Sequence, residues 1–261
     1  MQIFQDLITQ ILTRLDYGWT FILLITRYFI FFIVVPGLGG GVNGAVIRYP
    51  AAIMLAAVCM HNGNLATVPS TPGGMIAQIV SEVVLGGVIG IIPLLIVAGA
   101  QTAGHLASGT MGLNGAQLFD PATSTQLSDL SRIYSDITII IFLLVGGHHL
   151  AIAQLAGLNN GLTPGGFLLG EIGISTLIDQ SARIFYIGCI MAAPVIVALL
   201  LTNFVMGIMS KAIPTINIFI ISFPLTIGVG LALTILALPE VGQFLQREFV
   251  RLNNLFSAVI S

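Results

Sequence analysis

The chain has 261 residues, 56% of them hydrophobic and 7% charged, with a formal net charge of −2. About a quarter of a typical soluble domain is charged, so eight Lys plus Arg and ten Asp plus Glu are too few to coat a water-soluble globule, and the chain is too apolar to be disordered. No basic cluster exists to neutralise phosphates, which excludes nucleic-acid binding and leaves a membrane-embedded protein.

Ile3, Phe4, Leu7, Ile8, Ile11, Leu12 and Leu15 recur at three- and four-residue spacing, which predicts an amphipathic helix at the N-terminus. The opening stretch mixes acid with base and has no small-residue cleavage site, so it does not read as a signal peptide and is expected to be kept. Trp19 to Val35 is a first long apolar segment, stopped by Pro36 and the glycines after it. That glycine string, PGLGGGVNG, lacks the Lys-Ser/Thr of a phosphate loop and reads as a turn. Ala51 to Met60 is a second apolar run, too short to cross a bilayer alone, with Pro50 expected at its start.

A third segment is expected from Met75 to Ala103, containing Glu82, Gly86, Gly90 and Pro93, the two glycines permitting close helix approach. From Gly104 to Arg132 the sequence turns rich in Gly, Ser, Thr and Asn and reads as a central loop. It keeps Met111, Leu113, Leu118 and Phe119, apolar side chains that need something to pack against. Ile137 to Leu158, Ile184 to Met209 and Ile216 to Leu238 supply the fourth, fifth and sixth segments. The tail is amphipathic again: Val241, Phe244, Leu245, Phe249, Leu252, Phe256 and Val259 form a stripe opposite Gln243, Arg247, Arg251 and Asn254.

Charge does not orient these segments. A six-pass arrangement with the N-terminus inside places Arg14, Arg183, Arg247 and Arg251 in the cytoplasm against Arg48, Arg132 and Lys211 outside. The prolines within and between the segments suit broken helices that rely on protein neighbours.

Few residues invite chemistry. Cys59 and Cys189 form no CxxC pair and read as small buried apolar side chains. His148 and His149 are adjacent, about 100° apart on a helix, so they cannot share an ion as an i, i+4 pair would; a helix-end role is expected and no metal. Ser81 and Ser175 have no GxSxG context. Arg27 and Glu82 are the ionisable groups deepest inside apolar runs, and a lone charge there costs at least about 2.5 kcal/mol, so each should face protein, water or a partner. Three classes stay open on these residues: a structural subunit, a six-pass secondary transporter using Glu82 and Arg27, and a membrane enzyme built on His148 or His149.

A family likeness is carried by GTMGLNGAQLFDPAT (Gly109 to Thr123), Leu130-Ser131-Arg132-Ile133, and Phe142-Leu143-Leu144 leading to Gly147-His148-His149. Arg27 to Pro36, Arg48, Glu82 with Gly86 and Gly90, and Pro214, Asn217, Phe219, Phe223, Pro224 and Leu225 agree with it. In this order and spacing the chain resembles the FliR family of flagellar biosynthetic proteins, which includes the T-type subunit of virulence type III secretion systems. Lys211 stands where a basic residue, often Arg, is usual, and Thr215 where Gln is frequent.

The resemblance implies an all-α fold of broken helical hairpins: about six apolar segments plus amphipathic N- and C-terminal helices, assembled in a helical export gate. It implies a FliP-like part over about residues 1–180, including the central loop 104–132, and a FliQ-like hairpin from about 181 to 261. It implies a structural, pore-forming subunit rather than an enzyme, with no cofactor, in the bacterial inner membrane at the flagellar basal body or in the virulence counterpart. Its partners would be FliP-like and FliQ-like gate subunits, FlhB-like and FlhA-like export components, and unfolded export substrates. The family's plug maps onto Ser108 to Phe119. There Gly109, Gly112 and Gly115 would permit movement, while Met111, Leu113, Leu118 and Phe119 would block ions with apolar bulk, and Asp120-Pro121 would anchor the loop where it rejoins helix. Arg27, Glu82, His148, His149, Lys211 and Asn217 would make intramembrane polar or subunit contacts.

Overall fold

The computed structural model describes residues 2–37, 44–62, 65–113, 129–157, 162–212 and 218–260. Among these, eight helices follow one another with no strand: α1 (Gln2–Val34), α2 (Ala45–Asn62), α3 (Pro72–Met111), α4 (Asp129–Leu144), α5 (Gly147–Leu155), α6 (Glu171–Ala212), α7 (Ile218–Val250) and α8 (Leu252–Ile260). Four helices are long and apolar enough to cross a membrane, or five if α4 and α5 make one broken span; Arg48–Met60 is a shorter apolar stretch. The chain is an all-α membrane protein.

The predicted segments are present with different limits. The amphipathic start and the first apolar segment are one continuous helix, α1. Pro50 lies inside α2 rather than at its start. The third segment begins earlier than expected: the Thr71 hydroxyl accepts the Gly74 N–H, and Pro72 opens α3 where a missing donor costs nothing. It also ends later, at Met111, so Gly104 to Met111 are helical and not loop. The reason is local. Thr102, Ser108 and Thr110 donate their hydroxyls back to carbonyls of their own helix, at His105 for Ser108 and at Leu106 and Ala107 for Thr110, so these polar residues join the helix instead of breaking it. The fourth segment is two helices broken before Gly147.

Pro93, Pro194, Pro224 and Pro239 sit inside helices that continue through them. Each removes one backbone bond, yet with apolar sequence on both sides helix remains the only way to satisfy the remaining groups. The outcome is two very long helices, α3 with 40 residues and α6 with 42. At about 1.5 Å per residue each reaches about 60 Å, roughly twice the ~30 Å hydrocarbon thickness.

The chain divides into two compact units. The first comprises Met1–Leu94, Leu143–Asp179 and Val250–Ser261, with Leu23, Phe31, Leu85, Ile89, Leu155 and Phe256 fully buried. There α1 packs on α2 and α5 on α8. Gly86 and Gly90 let α3 approach α1 closely: a Cβ on Gly86 would lie 2.3 Å from the Arg27 carbonyl oxygen, and one on Gly90 2.9 Å from Val34 Cβ.

The second unit comprises Leu95–Phe142 and Gln180–Phe249. Its core includes Ile96, Ala100, Phe142, Val195, Leu199 and Leu245. The tail stripe is buried as its period predicts at Val241, Leu245, Phe249, Leu252, Phe256 and Val259, while Gln243, Arg247, Arg251 and Asn254 are exposed. In this unit the Arg183 guanidinium donates to both Glu248 oxygens, at 3.1 and 2.8 Å, and stacks 5.5 Å from the Tyr186 ring centre. The arginine side chain is 28% exposed but that of Glu248 only 7%, so Arg183→Ala strands a nearly buried carboxylate and should cost about 1–3 kcal/mol. A thermal melt of the detergent-solubilised protein checks this, and an unchanged melting temperature would contradict it.

Candidate functional site

The two deepest charges meet each other. Arg27 on α1 and Glu82 on α3 form a bidentate ion pair: the Arg27 Nε donates to Glu82 Oε2 and its Nη2 to Oε1 at 2.9 Å. Both side chains are sealed, at 1% and 0% exposure. Geometry follows from Gly86, one turn after Glu82 and on the same face, where the missing Cβ lets α3 lie against the α1 backbone at Arg27.

Two backbone groups complete the network. The Arg27 Nη1 donates to the Leu155 carbonyl at 2.7 Å, at the last residue of α5, where the helix leaves carbonyls without intrahelical donors and carries its negative dipole end. The Gly165 N–H donates to Glu82 Oε1 at 2.5 Å. Gly165 takes φ +78°, and a Cβ there would lie 2.8 Å from Gln78, so no other residue sits easily at that position. Beside it the Ser81 hydroxyl donates to the Phe167 carbonyl at 2.8 Å. All three guanidinium nitrogens and both carboxylate oxygens are thus engaged. Such a closed network fastens α1, α3, the end of α5 and the 162–170 segment together. A transport ligand, by contrast, must present open coordination to a cavity.

The root of the central loop is a second candidate, within the other unit. Gly109 is exposed in the last turn of α3, Met111 is buried, and Gly112 turns the chain with φ +81°. Leu113 is half-buried. Gly115, Leu118, Phe119 and Asp120-Pro121 lie outside the described residues, as does Asn217. Met111 lies against α7, where its carbonyl accepts the Thr226 hydroxyl at 3.1 Å.

The remaining residues singled out by sequence lie apart from these two places. His148 and His149 lie in the first turn of α5, with ring centres 4.0 Å apart. Among the described residues no group of three or more His, Cys, Asp or Glu is placed to hold a metal. Lys211 is exposed at the end of α6. The cysteines depart from expectation: Cys59 is half-buried with its Sγ 3.0 Å from the Tyr28 hydroxyl, and Cys189 is exposed. Cys189 sits on the outward face of α6, which its own unit leaves uncovered. Sequence reasoning missed Leu155, Gly165 and Thr226; the first two act through backbone atoms, which side-chain patterns do not reveal.

Comparison with known proteins supplies the context. Residues 19–252 match the family described as bacterial export proteins, family 1. The flagellar biosynthetic protein FliR of Escherichia coli K12 is 31% identical over 182 residues, 70% of each chain. That of Bacillus subtilis strain 168 is 26% identical over 252 residues, covering 92% of this chain and 91% of the relative. The Yop proteins translocation protein T of Yersinia pestis is 21% identical over 221 residues, covering 83% and 85%.

Proposed function

Because the chain belongs to the bacterial export proteins, family 1, and is thereby a component of a type III export apparatus, we propose that it is a structural, pore-forming subunit of the flagellar export gate. It helps to line and to close the channel for unfolded export substrates. The flagellar branch is preferred to the virulence one on similarity, 31% against 21%. No enzymatic step is assigned to it.

The observation that carries this reading is the mismatch between helix length and membrane. Helix α6 is about twice as long as a bilayer is thick, and large apolar side chains are exposed at both its ends, Ile172, Ile178 and Phe185 as well as Val197, Leu201, Phe204 and Ile208, with Glu171, Ser175, Asp179 and Ser181 exposed among the first of them. Lipid can cover about half of such a helix, and neighbouring protein must cover the rest. An obligate assembly meets that need, whereas a lone six-pass transporter leaves it unmet. The partners are FliP-like and FliQ-like subunits, with FlhB-like and FlhA-like components beside them, in the inner membrane at the basal body. On this view residues 1–180 are the FliP-like part and 181–261 the FliQ-like hairpin, a division by ancestry that is distinct from the two packing units.

Of the plug expected over Ser108 to Phe119, the part up to Met111 is helix α3, so the plug is taken as Leu113 to Phe119, its apolar side chains blocking ions by excluding water from the constriction. Deleting residues 113–119, which leaves α3 and Gly112 intact, should raise proton and ion leakage in cells carrying the assembled gate. A deletion that assembles normally and leaks no more than the parent rules the plug out.

A further inference from the structure

Within the second unit a cleft of about 260 Å³ lies between α6 and α7, more than the ~150 Å³ that admits benzene into a protein core. Its walls are apolar, with Ile190 and Met191 from α6 and Val241 and Phe244 from α7. Met191 and Val241 are buried, Phe244 is half-buried and Ile190 is exposed, so the cleft has a floor and an open side.

The polar groups set into this lining are short of donors. Pro194, which also lines the cleft, has no N–H to give the Ile190 carbonyl one turn earlier. On the α7 wall Glu240 is exposed and has no hydrogen bond or ion pair; the two ion pairs among the described residues are Arg27–Glu82 and Arg183–Glu248. Arg247, seven residues on and so on the same face of α7, lines the cleft as well. It gives its Nε to the Gln243 carbonyl of its own helix at 3.3 Å and leaves its terminal nitrogens unengaged. In a chain with ten acids in all, one placed in an apolar wall beside a donor-less carbonyl is not there for solubility.

Chemistry selects the occupant. An acid facing hydrocarbon is costly, and an anionic lipid surface repels it. A hard metal ion needs six or more oxygen ligands. A Lys or Arg side chain matches both halves of the cleft, an apolar stem for the walls and a cationic head for the acceptors. We propose that the α6–α7 cleft receives a Lys or Arg from a helix of a neighbouring gate subunit, its stem along Ile190, Met191 and Phe244 and its head on Glu240 and the Ile190 carbonyl. Arg247 then meets an acid on the same helix, about two turns or roughly 10 Å from the base. The proposal rests on the obligate-assembly reading and assigns that assembly one of its contact surfaces.

The test uses the whole gate in native membranes, with Phe244→p-benzoylphenylalanine as a photo-crosslinker. Irradiation and mass spectrometry should find an adduct with another gate subunit, on a helix peptide that holds a Lys or Arg and, about seven residues from it, an Asp or Glu. Glu240→Gln should cut the adduct at least about threefold and Glu240→Lys further. Replacing the mapped base by Glu should restore it in the Glu240→Lys background. Asp179→Asn, exposed on α6 outside the cleft, should leave it unchanged. If the bulky label blocks assembly, the same label at the exposed Ile190 decides.

A gate that assembles but yields a lipid adduct, no adduct, a peptide without a base, or an adduct indifferent to Glu240→Gln overturns the cleft's role and leaves the assembly standing. A parent chain that elutes alone overturns the assembly reading and the proposal with it.

Discussion

Replacing Glu82 by Gln should reduce the folded protein recovered from membranes by an order of magnitude or more. The neutral amide leaves the Arg27 guanidinium buried without its counter-charge, and breaking a buried pair from one side costs about 3–5 kcal/mol, roughly a fifth or more of the stability of a typical domain. Arg27→Met should be about as damaging, since it strands the Glu82 carboxylate with only the Gly165 N–H. Replacing both, Arg27→Met with Glu82→Leu, should recover much of the loss, because an apolar pair of similar volume needs no counter-charge. Exchanging the charges, Arg27→Glu with Glu82→Arg, should not. The exchange would set a carboxylate against the Leu155 carbonyl and a guanidinium against the Gly165 N–H, reversing both backbone bonds. Yields that fall no further for the single variants than for the double would show that the pair is dispensable.

The second large effect is expected at Gly104. A Cβ there would lie 2.4 Å from the Ser131 Cα and 2.7 Å from its N, so α3 and α4 touch backbone to backbone and no rotamer can relieve the clash. Gly104→Ala should destabilise by about 1–3 kcal/mol or more by overpacking. On α6, Gly207→Ala meets nothing within 4 Å, so it should instead stabilise by about 0.5–1 kcal/mol through lower unfolded-chain entropy. The fraction of protein that stays monodisperse in detergent after heating separates the two. Similar heat tolerance for both variants would contradict the close approach.

These two sites show what the sequence reveals and what it hides. Apolar runs and their period locate every long helix, because burying a hydrophobic stripe is what such helices are for. Their ends are harder. Ser108 and Thr110 look like loop residues until their hydroxyls are seen bonded to the helix's own carbonyls. Arg27 and Glu82 stand out as expensive charges, but nothing in a single sequence says that residues 55 apart satisfy each other. The Leu155 carbonyl and the Gly165 amide are hidden altogether, since every residue but proline offers both groups. At the root of the central loop Met111 and Gly112 are marked by composition, whereas Thr226 is one threonine among many until α7 is placed beside α3. Family resemblance adds the assembly, which no pattern within one chain contains.

The central claim is that this chain is an obligate part of an export gate. Mild-detergent extraction of a tagged copy from its native host, with sizing and mass spectrometry of what co-elutes, tests it most directly. A large particle containing two other small, highly apolar export proteins is the expected result. A lone, folded 27.5 kDa chain or a homodimer would contradict it.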